Sequence, residues 1–99
     1  MKILAVCGMG LGSSLILRLG IEGALKELGI EGEVEVADIG TAKSISCDLI
    51  VTSQQLAELL SSTGKPVVAI HNYLDKVEMR NKIKAAFQGE GRGDKKGGN

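Results

Sequence analysis

Three short runs of this chain are apolar without alternation: KILAV (2–6), DLIVTS (48–53) and KPVVAIHN (65–72). A strand that shows no polar face is one covered on both sides, and that is the habit of parallel sheets. Between the runs the period changes to that of a helix. Leu17, Ile21, Ala24, Leu25 and Leu28 recur at helical spacing from Ser13 onward, and Gly29 follows as a C-cap. QQLAELLSS (54–62) gives two turns with Leu56, Leu59 and Leu60 on one side. Residues 75–87 close the pattern with an inward face of Val77, Ile83 and Phe87, with Leu74, Met79 or Ala86 beside it. EVEVADI (33–39) carries one polar face, as an edge strand does.

The order is β-α-β-β-α-β-α, with a short irregular or helical piece near Ala42–Ser46 able to serve as the second crossover. Strands alternating with helices imply right-handed crossovers. The expected fold is therefore α/β: a four-stranded parallel sheet, doubly wound in three layers, with a phosphate loop after the first strand. In such sheets ligands bind beyond the carboxyl ends of the strands, where the strand order reverses.

The 99 residues make one domain, here residues 1–88. Residues 89–99 (GEGRGDKKGGN) hold five glycines, five charged residues and nothing apolar, and are expected to form a flexible tail. The RGD within it reads as accidental. Twelve basic residues balance twelve acidic ones, and only one Phe and one Tyr are present. Neither a polyanion-attracting field nor a stacking platform results, so no nucleic-acid partner is expected. The apolar run before Cys7 is too short for a signal segment and no stretch reaches a membrane span, so a cytoplasmic protein without direct membrane insertion is expected. The two cysteines, forty residues apart, form neither a metal motif nor a disulfide framework. No cofactor and no metal is expected.

Chemistry concentrates in Cys7-Gly8-Met9-Gly10-Leu11-Gly12-Ser13-Ser14. Alternate glycines let a backbone turn its N–H groups inward, and a helix beginning near Ser13 adds unpaired first-turn amides and the positive end of its dipole. The serine hydroxyls can cap the helix or donate to an anion. A thiol in such a field is favoured as thiolate, which makes Cys7 the candidate nucleophile and Gly8 to Ser14 the candidate phosphate-binding loop. The bland alternative is a structural cysteine in a tight turn. The Gly-Lys-Ser/Thr of a nucleotide P-loop is missing, and Ser13 stands where a dinucleotide fingerprint needs Gly. A tyrosine phosphatase would need Arg six residues after Cys7, where Ser13 stands; the nearest arginine is Arg18. Without that clamp and a positioned acid, transfer to water loses most of its help.

Other polar residues divide between site and scaffold. Cys47 reads as structural or incidental and His71 as an exposed loop residue. Thr52, Ser53 and Gln54 either line the site or cap the next helix. Leu15 and Leu19 are expected in the core, the alternative being an apolar docking patch near Cys7. Glu22 and Lys26 form a solvated i,i+4 pair.

With KILAVCGMGLGSS, DLIVTS and KPVVAIHN in place, residues 1–88 resemble the enzyme IIB component of the bacterial sugar phosphotransferase system. The type is that of lactose, ascorbate and galactitol, and the loop CGxGxGSS is nearest the ascorbate-like branch. The resemblance implies that enzyme IIA donates a phosphoryl group from phosphohistidine to Cys7. It implies further that Cys7 passes the group to a sugar entering through the membrane enzyme IIC, with Met9 and Leu11 turned towards partners. Alternatives are a small phosphatase or reductase of the cysteine-loop kind, or a non-enzymatic anion-sensing regulatory module.

Overall fold

The computed structural model describes residues 1–8 and 11–91. Four strands, β1 (Lys2–Val6), β2 (Glu33–Ala37), β3 (Leu49–Ser53) and β4 (Val67–Ile70), form one sheet in the order β2-β1-β3-β4, every neighbouring pair parallel. Four helices alternate with them: α1 (Leu11–Leu28), α2 (Ile39–Ser44), α3 (Gln54–Leu60) and α4 (Lys76–Gly91). The short piece expected near Ala42–Ser46 is thus a true crossover helix that begins earlier, and the strand expected to reach Ile39 ends at Ala37. The local reason is a cap: the Asp38 carboxylate accepts from the Thr41 N–H at 2.7 Å and starts α2.

Period-two alternation divides the core. Ile3, Ala5 and Cys7 face a cluster with Leu17, Ile21, Ala24 and Leu25 of α1 and Met79 and Ile83 of α4. Leu4 and Val6 face the other way, onto Ala42, Ile50 and Leu60 under α2 and α3. β1 and β3 are covered on both sides, which is why their residues show no polar face. Each fully buried Leu or Ile contributes roughly 1.5–3 kcal/mol relative to exposure.

Several expected core positions lie outside. Leu15, Leu19, Leu59, Leu74 and Val77 are all more than half exposed. On α1, Leu17 and Ile21 take the buried stripe, one position away from Ile16; on α4 it is Met79 and Ile83, not Val77, that face the sheet. The acidic partner of Arg18 is Glu22 at 3.1 Å, so Glu22 is not reserved for Lys26. Gly29 ends α1 with φ of 70°, as a C-cap glycine should. α4 continues to Gly91, three residues into the segment expected to be a tail; the remainder of that segment lies outside the described residues. Among the described residues no helix is long and apolar enough to cross a membrane.

Candidate active site at the carboxyl edge

The chain leaves β1 for β2 on one side and later returns to β3 on the other, so the strand order reverses between β1 and β3. Cys7 follows β1 immediately at that switch point, where ligands bind in such sheets. Its N–H donates to the Ala37 carbonyl at 3.4 Å, extending the β1–β2 ladder by one bond. On the other side Val6 is in register with Thr52. Thr52 is wholly buried, and its hydroxyl donates to the Val6 carbonyl at 2.7 Å, which ties the two strand ends together beneath the site.

One step further along the same register brings Ser53 beside Cys7, and the alternation puts both on the α1/α4 face. Ser53 also caps α3, accepting from the Leu56 N–H at 3.3 Å. The two roles weighed for this residue, lining the site and capping a helix, are combined.

Sequence reasoning missed the third member of the group. Tyr73, in the loop from β4 to α4, packs against the same core cluster as Cys7. Burial, with the charge Cys7 can carry, pushes its phenol up, above a free tyrosine, and nearby Ser53 only partly offsets this. Tyr73 therefore stays protonated across the physiological range. The available signal was positional: the chain's sole tyrosine comes just past the carboxyl end of a buried strand, on the edge where the site lies.

The loop carrying Tyr73 is pinned. The Glu78 carboxylate accepts from the N–H groups of His71 (2.7 Å) and Asn72 (3.1 Å) and from the Lys82 ammonium (2.7 Å), and it lies 3.3 Å from the His71 ring. Although partial burial opposes ionisation, these bonds outweigh it and hold Glu78 down at about 2. Asp75 accepts from the Glu78 N–H at 3.0 Å and starts α4. His71 itself is exposed and engaged with Glu78.

Of the expected phosphate loop, Gly8 is exposed, and a Cβ there would lie 3.6 Å from Leu56. Met9 and Gly10 lie outside the described residues. Leu11, Gly12, Ser13 and Ser14 are already helical, so α1 begins two residues before the expected start. Ser13 and Ser14 thus stand in the first turn of α1. The first amides of α1 are those without intrahelical acceptors, and α1 starts four residues after Cys7. Cys47 stands at the opposite edge of the sheet, before β3. Beside Tyr73 a cavity of about 380 Å³ opens between α1 and the β4–α4 loop, lined by Ile16, Leu19, Gly20, Gly23 and Leu74 among others. Gly20 permits that close approach, since a Cβ there would come within 2.9 Å of Met79 Cε and 3.4 Å of the Tyr73 carbonyl. Among the described residues no group of three or more His, Cys, Asp or Glu could hold a metal ion.

Cys7 thus stands at the switch point, four residues ahead of a long helix. The model of the family "PTS system, Lactose/Cellobiose specific IIB subunit" matches residues 2–85, and the chain belongs to this family. Two similar proteins are named as ascorbate-specific PTS system EIIB components. The one from Mycoplasma pneumoniae is 31% identical over 81% of this chain and 87% of its own length. The one from Salmonella typhimurium is 35% identical over 83% and 84%. The lactose-specific IIB domain of Streptococcus pneumoniae shares the fold, with a TM-score of 0.57 at 18% identity over 89% of this chain and 91% of that one. IIB subunits are phosphotransferase components of sugar uptake and work with IIA and IIC partners.

Proposed function

We propose that Cys7 is the phosphoryl carrier of this IIB subunit, receiving its group from phosphohistidine on an enzyme IIA and delivering it to ascorbate or a related sugar entering through an enzyme IIC. The observation that carries this reading is the position of Cys7 directly after β1, at the sheet's switch point and four residues ahead of α1. In the first transfer the Cys7 sulfur forms an S–P bond as the N–P bond of phosphohistidine breaks, the electron pair returning to the imidazole. In the second, a sugar hydroxyl oxygen attacks phosphorus, the S–P pair returns to sulfur and the hydroxyl proton passes to water. Gly8 to Ser14 are assigned to the phosphoryl oxygens, with backbone amides as the main donors.

Two features favour a carrier over a phosphatase. Arg18 is paired with Glu22 at 3.1 Å and gives Cys7 no cationic clamp. Cys7 is only 7% exposed, so its thiol has little contact with water. The exposed leucines 15, 19 and 74 offer apolar surface near the start of α1 and α4, where a protein donor could rest. The name carried by the two relatives supports ascorbate as the sugar class.

The test is incubation with the phosphorylated IIA of an ascorbate system, read by intact mass and by peptide mapping. One phosphoryl group on Cys7, followed by its loss when IIC-containing membranes and ascorbate are added, is the expected result. Absence of label on Cys7, or steady release of inorganic phosphate without acceptor, would overturn the reading.

A further inference from the structure

We infer that Thr52 is a positioning residue for Cys7: its buried hydroxyl holds the Val6–Cys7 peptide plane, and so the thiol that hangs from it, in line for phosphoryl transfer. This rests on the reading of Cys7 as the phosphoryl carrier. The plane is gripped from both neighbouring strands. On the β3 side the Thr52 hydroxyl donates to the Val6 carbonyl at 2.7 Å. On the β2 side the Cys7 N–H donates to the Ala37 carbonyl at 3.4 Å. That carbonyl and that N–H belong to one rigid peptide unit, so the two bonds together fix its tilt. The hydroxyl bond has the ordinary length for its kind and the amide bond is long for its own, so Thr52 supplies the firmer hold.

A threonine here is costly unless its hydroxyl is used. Thr52 is the one buried polar side chain of the core among the described residues. By strand alternation it shares the face of Ile50, whose cluster is Leu4, Val6, Ala37, Ala42 and Leu60. Valine has nearly the same shape and no hydroxyl to desolvate. What threonine adds is its bond to the carbonyl that precedes Cys7. With no exposed surface, Thr52 meets neither substrate nor partner, so its effect runs through that peptide. The strand ends on either side are themselves anchored. Asp38, next after Ala37, caps α2, and Ser53, next after Thr52, caps α3. An in-line displacement needs the sulfur opposite the leaving nitrogen, and later opposite the sugar oxygen. A tilted plane moves the sulfur off that line and costs rate, while leaving the docking surface as it was. Thr52 itself exchanges no proton in either step.

The experiment compares Thr52→Val and Thr52→Ser with the parent, after circular dichroism and urea unfolding have shown all three folded. Transfer from phosphorylated IIA is followed in single turnover at varied IIA concentration. Thr52→Val should lower the maximal rate about tenfold and leave the half-saturating IIA concentration within about twofold. Thr52→Ser keeps the hydroxyl and should stay within about threefold of the parent. Thr52→Ala, which also lacks the hydroxyl, takes the place of valine should Thr52→Val fold poorly. Amide hydrogen exchange gives a second readout that needs no partner. The Cys7 amide should exchange about tenfold faster in Thr52→Val, with the amides of Ile3, Leu4 and Ala5 unchanged, whereas a packing defect would speed all four together. An unchanged maximal rate in folded Thr52→Val, or an equal loss in Thr52→Ser, would overturn the inference. If the parent took no phosphoryl group from IIA the carrier reading would fall, while selective loosening of the Cys7 amide would still uphold the hold of Thr52 on the Cys7 peptide.

Discussion

The two edges of the sheet carry one cysteine each, and they are built on opposite principles. At the amino edge, charge is neutralised locally. Lys2 donates its N–H to Asp48 at 2.7 Å, Asp48 returns a bond to the Lys2 carbonyl at 2.8 Å, and the Lys2 ammonium meets Glu35 at 3.0 Å. Lys65 reaches from the start of β4 to the carbonyls of Ala42 and Ile45 and so closes the end of α2. Cys47 sits in this closed edge, packed against the α2/α3 side of the core. Burial pushes its thiol up, more than the nearby Lys65 brings it down. At the carboxyl edge Cys7 is buried without an ion pair of its own among the described residues, the charges there gather on Glu78, and leucines 15, 19 and 74 are exposed. What decides a cysteine's chemistry here is which end of a parallel sheet it occupies, because helix N-termini gather at one end only.

The strongest way to break this contrast is to exchange the thiols for hydroxyls one at a time. Cys7→Ser should abolish phosphoryl acceptance from IIA, a loss of at least about a thousandfold, since a serine hydroxyl is far less ionised than a thiol. Cys47→Ser should leave the rate within about twofold. Comparable losses in both variants, measured as label incorporated per minute, would make the two edges equivalent and end the comparison.

Next in size comes the clamp under Tyr73. Glu78→Ala removes the acceptor for two backbone N–H groups and for Lys82, and should cost about 1.5–3 kcal/mol in urea unfolding. The pH dependence has a definite sign. The folded-state carboxyl is held at about 2, below its ordinary 4.5, so its contribution is complete above the ordinary value and fades as pH falls towards about 2. The difference in stability between parent and Glu78→Ala should therefore be constant near neutrality and shrink over that acid range. A difference that grew on acidification would show that Glu78 is not the anchor of the loop.

How much of this was legible in the sequence follows from which residues announce themselves. β1 and β3 were readable because strands buried on both faces have no choice but to be apolar, and β4, an edge strand, because its run VVAI is apolar too. Cys7, proposed here as the carrier, stands out in the sequence because the glycine-rich run after it is costly unless used. The helices gave less. Leu15, Ile16, Leu17, Leu19 and Ile21 make α1 apolar nearly all round, so period alone could not say that Leu17 and Ile21 face the sheet and Leu15 and Leu19 face out. Tyr73 could not be found from any motif. It joins Cys7 through sheet order and register, which place the ends of β1, β3 and β4 along one edge, and a lone tyrosine twenty residues from Ser53 carries no trace of that in its neighbours.

A smaller effect sharpens the contrast from the closed edge. Lys65→Met keeps the length of the stem but removes the donor that reaches the Ala42 and Ile45 carbonyls. Those carbonyls close the last turn of α2, where a cation is favoured, and water can reach them in part once the ammonium is gone. The loss should be about 1.5 kcal/mol, below that of Glu78→Ala because one donor group is involved and no backbone N–H is orphaned. The same substitution should act on Cys47. Lys65 is the charge that chiefly offsets the burial of that thiol, so removing it should move Cys47 further from ionisation. In a Cys7→Ser background, where Cys47 is the only thiol left, its alkylation profile should lie above that of a free thiol and move higher still with Lys65→Met. Phosphoryl transfer through Cys7 in the otherwise unaltered chain should not change, because the Lys65 ammonium bonds at the end of α2, on the amino edge. A Lys65→Met protein that folds normally but transfers slowly would show that the amino edge reaches the site through the sheet, and the separation of the two edges would fail.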